Sequence, residues 1–412
     1  MKKFLALVLA LALALSMMAC GSKTPAPEAA PEAAPEAAPE AAPEAAPEAV
    51  EYVDPYAEYA DDYDALSQAI YDDVLGEFYT VYEAAKAATN VSERQALMAV
   101  AEAKLLGSGV MLPLGSNGGN YAISRVAPYT ATTTLWGNDS YRYHNVVITT
   151  EPLTVADRDE MKAKWAELKD DDSVYYEDWA KEFLTGKGYT LKDTYTLGYA
   201  SDPQTWDILA TSMAADSEAI VNTYDGLYEY DSENVLQPAL AESYTVTDNA
   251  DGTQTYTFKI REGAVWVDSQ GRKVADVKAD DFVAGMQHMM DTMGGLEYLV
   301  QGIIVNATEY ITGEVTDFTQ VGVKAIDDTT LEYTLCAPTS FFMTMLGYNV
   351  FAPMSREYYV SKGGKFGAEF SADDPNYTYG KTPNDIAYCG PYVVTNATAE
   401  NTIVFKANES YW

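Results

Sequence analysis

Proline recurs at every fourth position from Pro27 to Pro47, within five Pro-Glu-Ala-Ala units and a final Pro-Glu-Ala-Val. Proline lacks the backbone donor that a helix needs, and the glutamates of successive units repel one another. The stretch also has no large apolar side chain to place in a core. We therefore expect residues 20–50 to form a linker whose extended stretch, residues 25–50, has a reach of about 80–90 Å, and the folded body to follow it.

The first residues are typical of an export signal. Lys2 and Lys3 precede an apolar run from Phe4 to Leu15. As a helix this run would cover about 18 Å, too little to cross a hydrocarbon core of about 30 Å. Residues 1–19 are therefore predicted to be a secretory signal peptide.

The end of that signal, Ala19-Cys20-Gly21, resembles the bacterial lipobox. The resemblance implies that Cys20 is lipidated and becomes the mature N-terminus. The protein would then be exported and anchored through its lipid to the outer face of the cytoplasmic membrane. An ordinary signal peptide with a chance cysteine is the alternative.

Charge and composition exclude several functions. The chain has 62 acidic and 26 basic side chains and a net charge of -36. Such a surface repels phosphate backbones, so we expect no nucleic-acid partner. With His144 and His288 as its two histidines, a metal site built on several imidazoles is not expected.

The sequence carries no recognisable enzyme motif, so we expect neither catalysis nor a cofactor. The acidic pairs Asp280-Asp281 and Asp327-Asp328 are interpreted as a helix cap and a turn. The turn Asp248–Gly252 is not a calcium loop, because Phe258 falls where such a loop needs a bidentate glutamate.

Hydrophobic spacing and turn residues predict a mixture of helices and short strands. Helices are expected from a capping box at Ser92, around Met161 to Leu168, up to Gly186, over 215–222, and from Asp280 or Asp281 to Met290. Strands are expected at 110–114, 121–126, 195–199 and 401–406, with hairpins at 244–260 and 323–335.

Several segments of residues 194–412 stand in an order that resembles the N-terminal part of the family 5 solute-binding proteins. They are Asp202-Pro203, Tyr224-Asp225-Gly226-Leu227, the run 236–243, the run 256–263, Ala279-Asp280-Asp281-Phe282, Cys389-Gly390-Pro391-Tyr392 and the run 408–412. The segment from Glu93 to Val126 is similar to the one that closes such proteins at their C-terminus, although here it lies upstream. We hypothesise that it still packs on residues 194–260 and completes their core.

The resemblance implies an α/β (mixed α+β) periplasmic-binding-protein-like type II lobe with a mixed sheet and flanking helices. It divides the chain into a signal (1–19), a linker (20–50), an extension (51–190) and an N-terminal lobe (191–412), with the second large lobe not represented. The implied function is the solute-binding component of an ABC importer, which captures an oligopeptide or another small solute by lobe closure and delivers it to a permease. The alternative is a surface-displayed interaction or adhesion lipoprotein without transport activity.

Aromatic walls, main-chain pairing and carboxylates suit a site that tolerates many peptides. Under the resemblance, the residues expected to contact ligand are Asp202, Trp206, Tyr224, Asp225, Gly226, Tyr388, Gly390 and Pro391. The aspartate that anchors the ligand amine in the family is expected to lie in the lobe not represented here. Cys336 and Cys389 could form a disulfide in an oxidising compartment or stay free.

Overall fold

The computed structural model describes residues 53–111, 124–132, 137–168, 176–199, 201–232 and 234–412. The predicted signal peptide, the linker and the lipidation site Cys20 lie outside these residues. The described residues divide into two units, one ending at Tyr63 and the other beginning at Asp64. In the first unit, Ala57–Tyr59 form one turn of 3-10 helix. Within the described part of the chain, no helix is both long enough and apolar enough to cross a membrane.

Nine α-helices are found among the described residues. They are α1 (Tyr63–Ala87), α2 (Val91–Gly107), α3 (Val155–Leu168), α4 (Tyr176–Gly186), α5 (Ala214–Ile220), α6 (Ala279–Thr292), α7 (Ala307–Thr312), α8 (Phe342–Met345) and α9 (Arg356–Ser361).

The described strands form one four-stranded sheet and three two-stranded sheets. The strands are β1 (Tyr228–Tyr230), β2 (Leu236–Pro238), β3 (Ala241–Asp248), β4 (Gln254–Ile260), β5 (Val265–Val267), β6 (Lys273–Asp276), β7 (Val323–Asp327), β8 (Thr330–Leu335), β9 (Tyr392–Thr398) and β10 (Thr402–Ala407). The large sheet has the order β3-β4-β8-β7, and the pairs β1-β2, β5-β6 and β10-β9 are separate. The fold class is mixed α+β, as predicted, and the described strands all pair antiparallel.

The hairpin of β3 and β4 confirms the sequence prediction. Gly252 in its turn has φ of +91°, a conformation that glycine adopts without steric cost. Along β4, Tyr256, Phe258 and Ile260 are buried at alternate positions, because side chains of a strand alternate between its two faces. This face of β4 contributes to the main hydrophobic core.

Two hydrophobic cores occupy the described residues. The larger runs from Trp206 to Val394 and packs α6 against the four-stranded sheet. The smaller consists of Ala127, Val147, Met161, Tyr176, Ala180 and Leu184, with Tyr129 stacked on Trp165 at 3.9 Å between ring centroids. The helices α3 and α4 therefore bury their apolar faces in a core distinct from that of residues 206–394.

Three local predictions need correction. The cap of α2 is Asn90, whose Oδ1 accepts from Glu93 N–H at 3.0 Å, because the helix starts before the predicted Ser92. Helix α6 begins after Lys278, so Asp280 and Asp281 lie in its first turn. The predicted strand 195–199 is absent, and Tyr199 instead donates its hydroxyl to the Glu218 carbonyl at 3.3 Å.

The predicted closing segment falls only partly within the described residues. Helix α2 is present, but residues 112–123, which include most of the two predicted strands, lie outside them. Val126 pairs with Ile148, while Arg94 lies 4.7 Å from the centroid of the Phe341 ring. The idea that this segment completes the core of residues 194–260 stays a prediction.

Candidate functional site

A cavity of about 450 Å³ opens between the loop at Asp202, the segment 381–384 and strands β9 and β10. Its volume lies within the range of about 300–1,000 Å³ that is usual for small-ligand sites. Trp206 forms part of the wall, and its backbone N–H donates to the Gly380 carbonyl at 2.8 Å. This hydrogen bond holds the loop at Asp202 next to the start of the segment 381–384, which also lines the cavity.

The polar groups of this cavity suit a zwitterionic, extended ligand. The Asp202 carboxylate is exposed and accepts from the Glu400 N–H at 2.6 Å, which ties it to the turn between β9 and β10. Lys381 contributes a positive charge to the same lining. A carboxylate and an ammonium group in one cavity can pair with charged groups of opposite sign on a ligand.

Strand β9 contributes to the wall of this cavity and has an edge that pairs with no described strand. Among the described strands it pairs only with β10, and its residues 394–398 contribute to the cavity wall. An unpaired strand edge can bind an extended peptide through backbone hydrogen bonds, largely independent of the peptide sequence.

A smaller cavity of about 300 Å³ lies on the other side of Lys381. Its lining includes Asp207, Tyr377 and Tyr379. Oδ2 of Asp207 lies 2.6 Å from Nε2 of His288, and both residues are buried. Burial and the nearby Asp207 charge raise the pKa of the Tyr377 and Tyr379 hydroxyls, so both remain neutral donors at physiological pH.

Tyr224, Asp225 and Gly226 are buried and lie outside both cavities. Nη1 of Arg142 lies 3.4 Å from Oδ1 of Asp225, and the Trp412 indole N–H donates to Oδ2 at 3.0 Å. Burial raises the pKa of Asp225 to about 6. Arg142 is not among the predicted site residues. The sequence feature that could have pointed to it is an arginine three residues after Asp139 in a strongly acidic chain.

Gly390 and Pro391 are held against Tyr224. A Cβ on Gly390 would lie 2.5 Å from the Tyr224 nitrogen, so only glycine permits this approach. Asn408 donates its side-chain N–H to the Gly390 carbonyl at 3.0 Å and its backbone N–H to the Pro391 carbonyl at 2.8 Å. The predicted site residues therefore separate into a pair that lines the cavity, the exposed Asp202 and the buried Trp206, and a buried group around Tyr224.

Residues 235–412 match the family model described as bacterial extracellular solute-binding proteins, family 5 Middle. This region of the chain is therefore similar to that family.

The relatives similar to this chain include two streptococcal oligopeptide-binding proteins. AliB of Streptococcus pneumoniae serotype 4 is 37% identical over 227 residues, which cover 55% of this chain and 32% of AliB. SarA of Streptococcus gordonii is 39% identical over 214 residues, which cover 52% of this chain and 30% of SarA. The alignments thus span about a third of the length of these relatives.

A solved structure is also similar to the chain. It is the substrate-binding domain of an oligopeptide ABC transporter from Bacillus anthracis strain Ames, with 31% sequence identity and a TM-score of 0.43. The match covers 53% of this chain and 38% of the other.

Within residues 235–412, Tyr388 supports the cavity indirectly. It is fully buried, and its hydroxyl donates to the carbonyl of Pro383, a residue of the cavity wall, at 2.5 Å. Its backbone pairs with Val267, so its place is in the core beneath the wall. A role of the eight predicted residues in ligand binding stays a prediction.

Cys336 and Cys389 are both free, which corrects the disulfide alternative. Cys336 is exposed just after β8, where its N–H donates to the Ile303 carbonyl at 2.8 Å, whereas Cys389 is buried beside Thr223. The two thiols thus lie in different parts of the fold. Among the residues that the structure describes, no group of three or more His, Cys, Asp or Glu side chains is arranged to hold a metal ion.

Proposed function

We propose that this chain is the lipid-anchored, extracellular solute-binding component of an ABC importer and that its solute is an oligopeptide. The observation that carries the proposal is the family 5 match over residues 235–412. The similarity to AliB and SarA, both named as oligopeptide-binding proteins, supports the choice of solute.

The cavity at Asp202 is the proposed binding site. An extended peptide would pair its backbone with the edge of β9, while Asp202 and Lys381 contact charged or polar groups of the ligand. Trp206 supplies an apolar wall that accepts different side chains. Closure of a second lobe over the peptide would then exclude water, and the loaded protein would deliver the peptide to a permease.

Binding to peptides can be measured on the chain with Cys20→Ser, which removes the proposed lipidation site. We expect calorimetry with mixed tripeptides to octapeptides to detect only weak binding, because one lobe supplies just part of the contacts to the ligand. Asp202→Asn should weaken binding of lysine-containing peptides about tenfold, or about 1.4 kcal/mol, and should have little effect on the same peptides with acetylated lysine side chains. Glu262→Gln, which removes an exposed charge outside the cavity lining, is the matched control. Absence of binding to every peptide would contradict the proposal.

Lipid anchoring is tested separately. Cells expressing the chain should incorporate labelled palmitate into the wild-type protein and place it in the membrane fraction. The Cys20→Ala variant should carry no label and leave that fraction, since the acyl chains supply the membrane affinity. A membrane-bound, unlabelled wild-type protein would contradict this part of the proposal.

The second candidate is a surface-displayed interaction lipoprotein without transport activity. It is favoured by α1 and α2, which together bury only Ala85 and Ala101 and leave Tyr63, Val91, Val100 and Leu106 exposed. Exposed apolar faces of this kind are typical of protein-binding surfaces. Calorimetry separates the candidates, because an interaction protein need not bind free peptides.

A further inference from the structure

The Arg142 side chain is almost completely enclosed, with 3% of its surface exposed. Its Nη1 group donates to the carbonyls of Val221 at 3.0 Å and Tyr224 at 2.8 Å. The guanidinium carbon lies 5.3 Å from the centroid of the Tyr224 ring. These contacts are made by residues about eighty positions further along the chain.

Carboxylates surround the same guanidinium. Its Nε lies 2.6 Å from Oδ1 of Asp139 and 3.7 Å from Oε2 of Glu229, and its Nη1 lies 3.4 Å from Oδ1 of Asp225. His144 reaches Glu229 at 3.6 Å, but burial lowers the pKa of its imidazole, so it adds little positive charge at neutral pH. Three carboxylates facing one guanidinium strongly disfavour a neutral side chain in this position.

The backbone on both sides of Arg142 is also bound. The side-chain amide of Asn222 donates to the Tyr141 carbonyl at 2.7 Å and accepts from the Tyr143 N–H at 2.9 Å. A single side chain thus satisfies the donor and the acceptor that flank the arginine, as in recognition of an extended peptide.

A further contact fixes the register of the segment. Oδ2 of Asp139 accepts from the backbone N–H of Tyr230, in β1, at 2.8 Å. Both Asp139 and the Arg142 guanidinium therefore meet polar groups of residues 221–230, while the neighbouring helices α3 and α4 pack in their own core.

From these contacts we infer that residues 221–230 form a socket for an arginine-centred peptide segment with an aspartate three residues before the arginine. The chain fills this arginine socket with its own residues 139–144. The same segment supplied by another molecule binds the socket when the internal segment is weakened. This inference does not depend on the transport function or on the cavity at Asp202.

The test uses the full chain with Cys20→Ser and a fluorescently labelled peptide with the sequence of residues 137–146. Anisotropy should show binding to Arg142→Ala at least tenfold tighter than to the unchanged chain, whose socket is occupied. Arg158→Ala, which removes an exposed arginine of α3, is the matched control and should behave like the unchanged chain. A peptide with glutamine in place of its arginine should bind the Arg142→Ala protein at least tenfold more weakly.

Equal binding of the arginine and glutamine peptides, or no binding to a folded Arg142→Ala protein, would overturn the inference. If Arg142→Ala does not fold by itself, the arginine peptide should restore its near-ultraviolet circular dichroism when added in trans. Failure of that rescue would also overturn the inference. Binding of the peptide to the unchanged chain and to Arg142→Ala with the same affinity would show that it binds elsewhere.

Discussion

The indole N–H of Trp266 donates to Oδ2 of Asp281 at 2.8 Å, and both side chains are buried. The same carboxylate accepts from the backbone N–H of Lys278 at 2.9 Å and from that of Arg356 at 3.0 Å. One aspartate thereby joins strand β5 to the first turns of helices α6 and α9.

Trp266→Phe should destabilise the protein by about 2–3 kcal/mol, because it removes a buried hydrogen bond and leaves a small cavity. Urea unfolding followed by circular dichroism measures the free energy. Tyr298→Phe, at an exposed aromatic position, is the control and should have little effect. Equal stability of the Trp266→Phe and unchanged proteins would contradict a structural role for this contact.

Buried carboxyls predict a stability that depends on pH. Burial raises the pKa of Asp225 and of Asp281 from 3.8 to about 6 in the folded protein. Between about pH 4 and 6 the folded state therefore binds more protons than the unfolded state, and the contribution of these groups to stability falls as the pH rises.

In the variants Asp225→Asn and Asp281→Asn, the free energy of unfolding should fall less as the pH rises. The difference from the unchanged protein should reach up to about 3 kcal/mol across this window for each variant. Unfolding free energies measured at intervals from pH 4 to 7 provide the test. Asp251→Asn is the control, since side-chain and backbone hydrogen bonds from Thr253 lower the pKa of Asp251 and place its titration below the window. A slope unchanged in both buried variants would contradict the prediction.

Gly390→Ala should lower stability by about 1–3 kcal/mol, because its Cβ would meet the backbone of Tyr224, which has little room to move. Calorimetric melting of the variant measures the loss. Gly198→Ala is the matched control, since nothing lies within 4 Å of a Cβ built there. Equal melting temperatures for the two variants would show that residues 223–224 can shift away from residue 390.

Cys336 and Cys389 should differ in reactivity. In the chain with Cys20→Ser, a maleimide reagent should modify the exposed Cys336 in the native protein. Cys389 should react only after unfolding, because burial excludes the reagent and raises the pKa of its thiol well above the ordinary value. Mass spectrometry of the native and unfolded proteins counts the modified thiols. Protection of both until reduction would indicate a disulfide instead.

Local sequence patterns correctly predicted the hairpins, whose paired strands are close to each other in the sequence. The β3-β4 hairpin follows from its turn residues and alternating strands, and β7-β8 follows in the same way. The alternation at 195–199 failed as a strand prediction, because a strand also needs a backbone partner. Tyr195 is instead packed edge-on against Tyr143, at 5.3 Å between ring centroids.

The sequence predicted only the part of the candidate site that lies on loops similar to those of the family 5 proteins. Asp202 and Trp206 do reach a cavity, whereas Asp225 was expected beside the ligand and is buried under Arg142. Nothing in the local sequence distinguishes Asp281, with its three donors, from its neighbour Asp280, which binds Arg356. Most partners of these carboxylates come from residues far away in the sequence. The local spacing of residues therefore does not predict which carboxylate is buried and which is not.

The contacts of Asp139, Arg142 and Asn222 together fix the number of residues between positions 139 and 142. Because the aspartate, the guanidinium and the flanking backbone are each held by a different atom of residues 222–230, adding or deleting one residue between 139 and 142 would break at least one contact. Insertions and deletions in natural or engineered versions of this chain should therefore be found outside this short segment, even in versions where other amino acids of the segment differ.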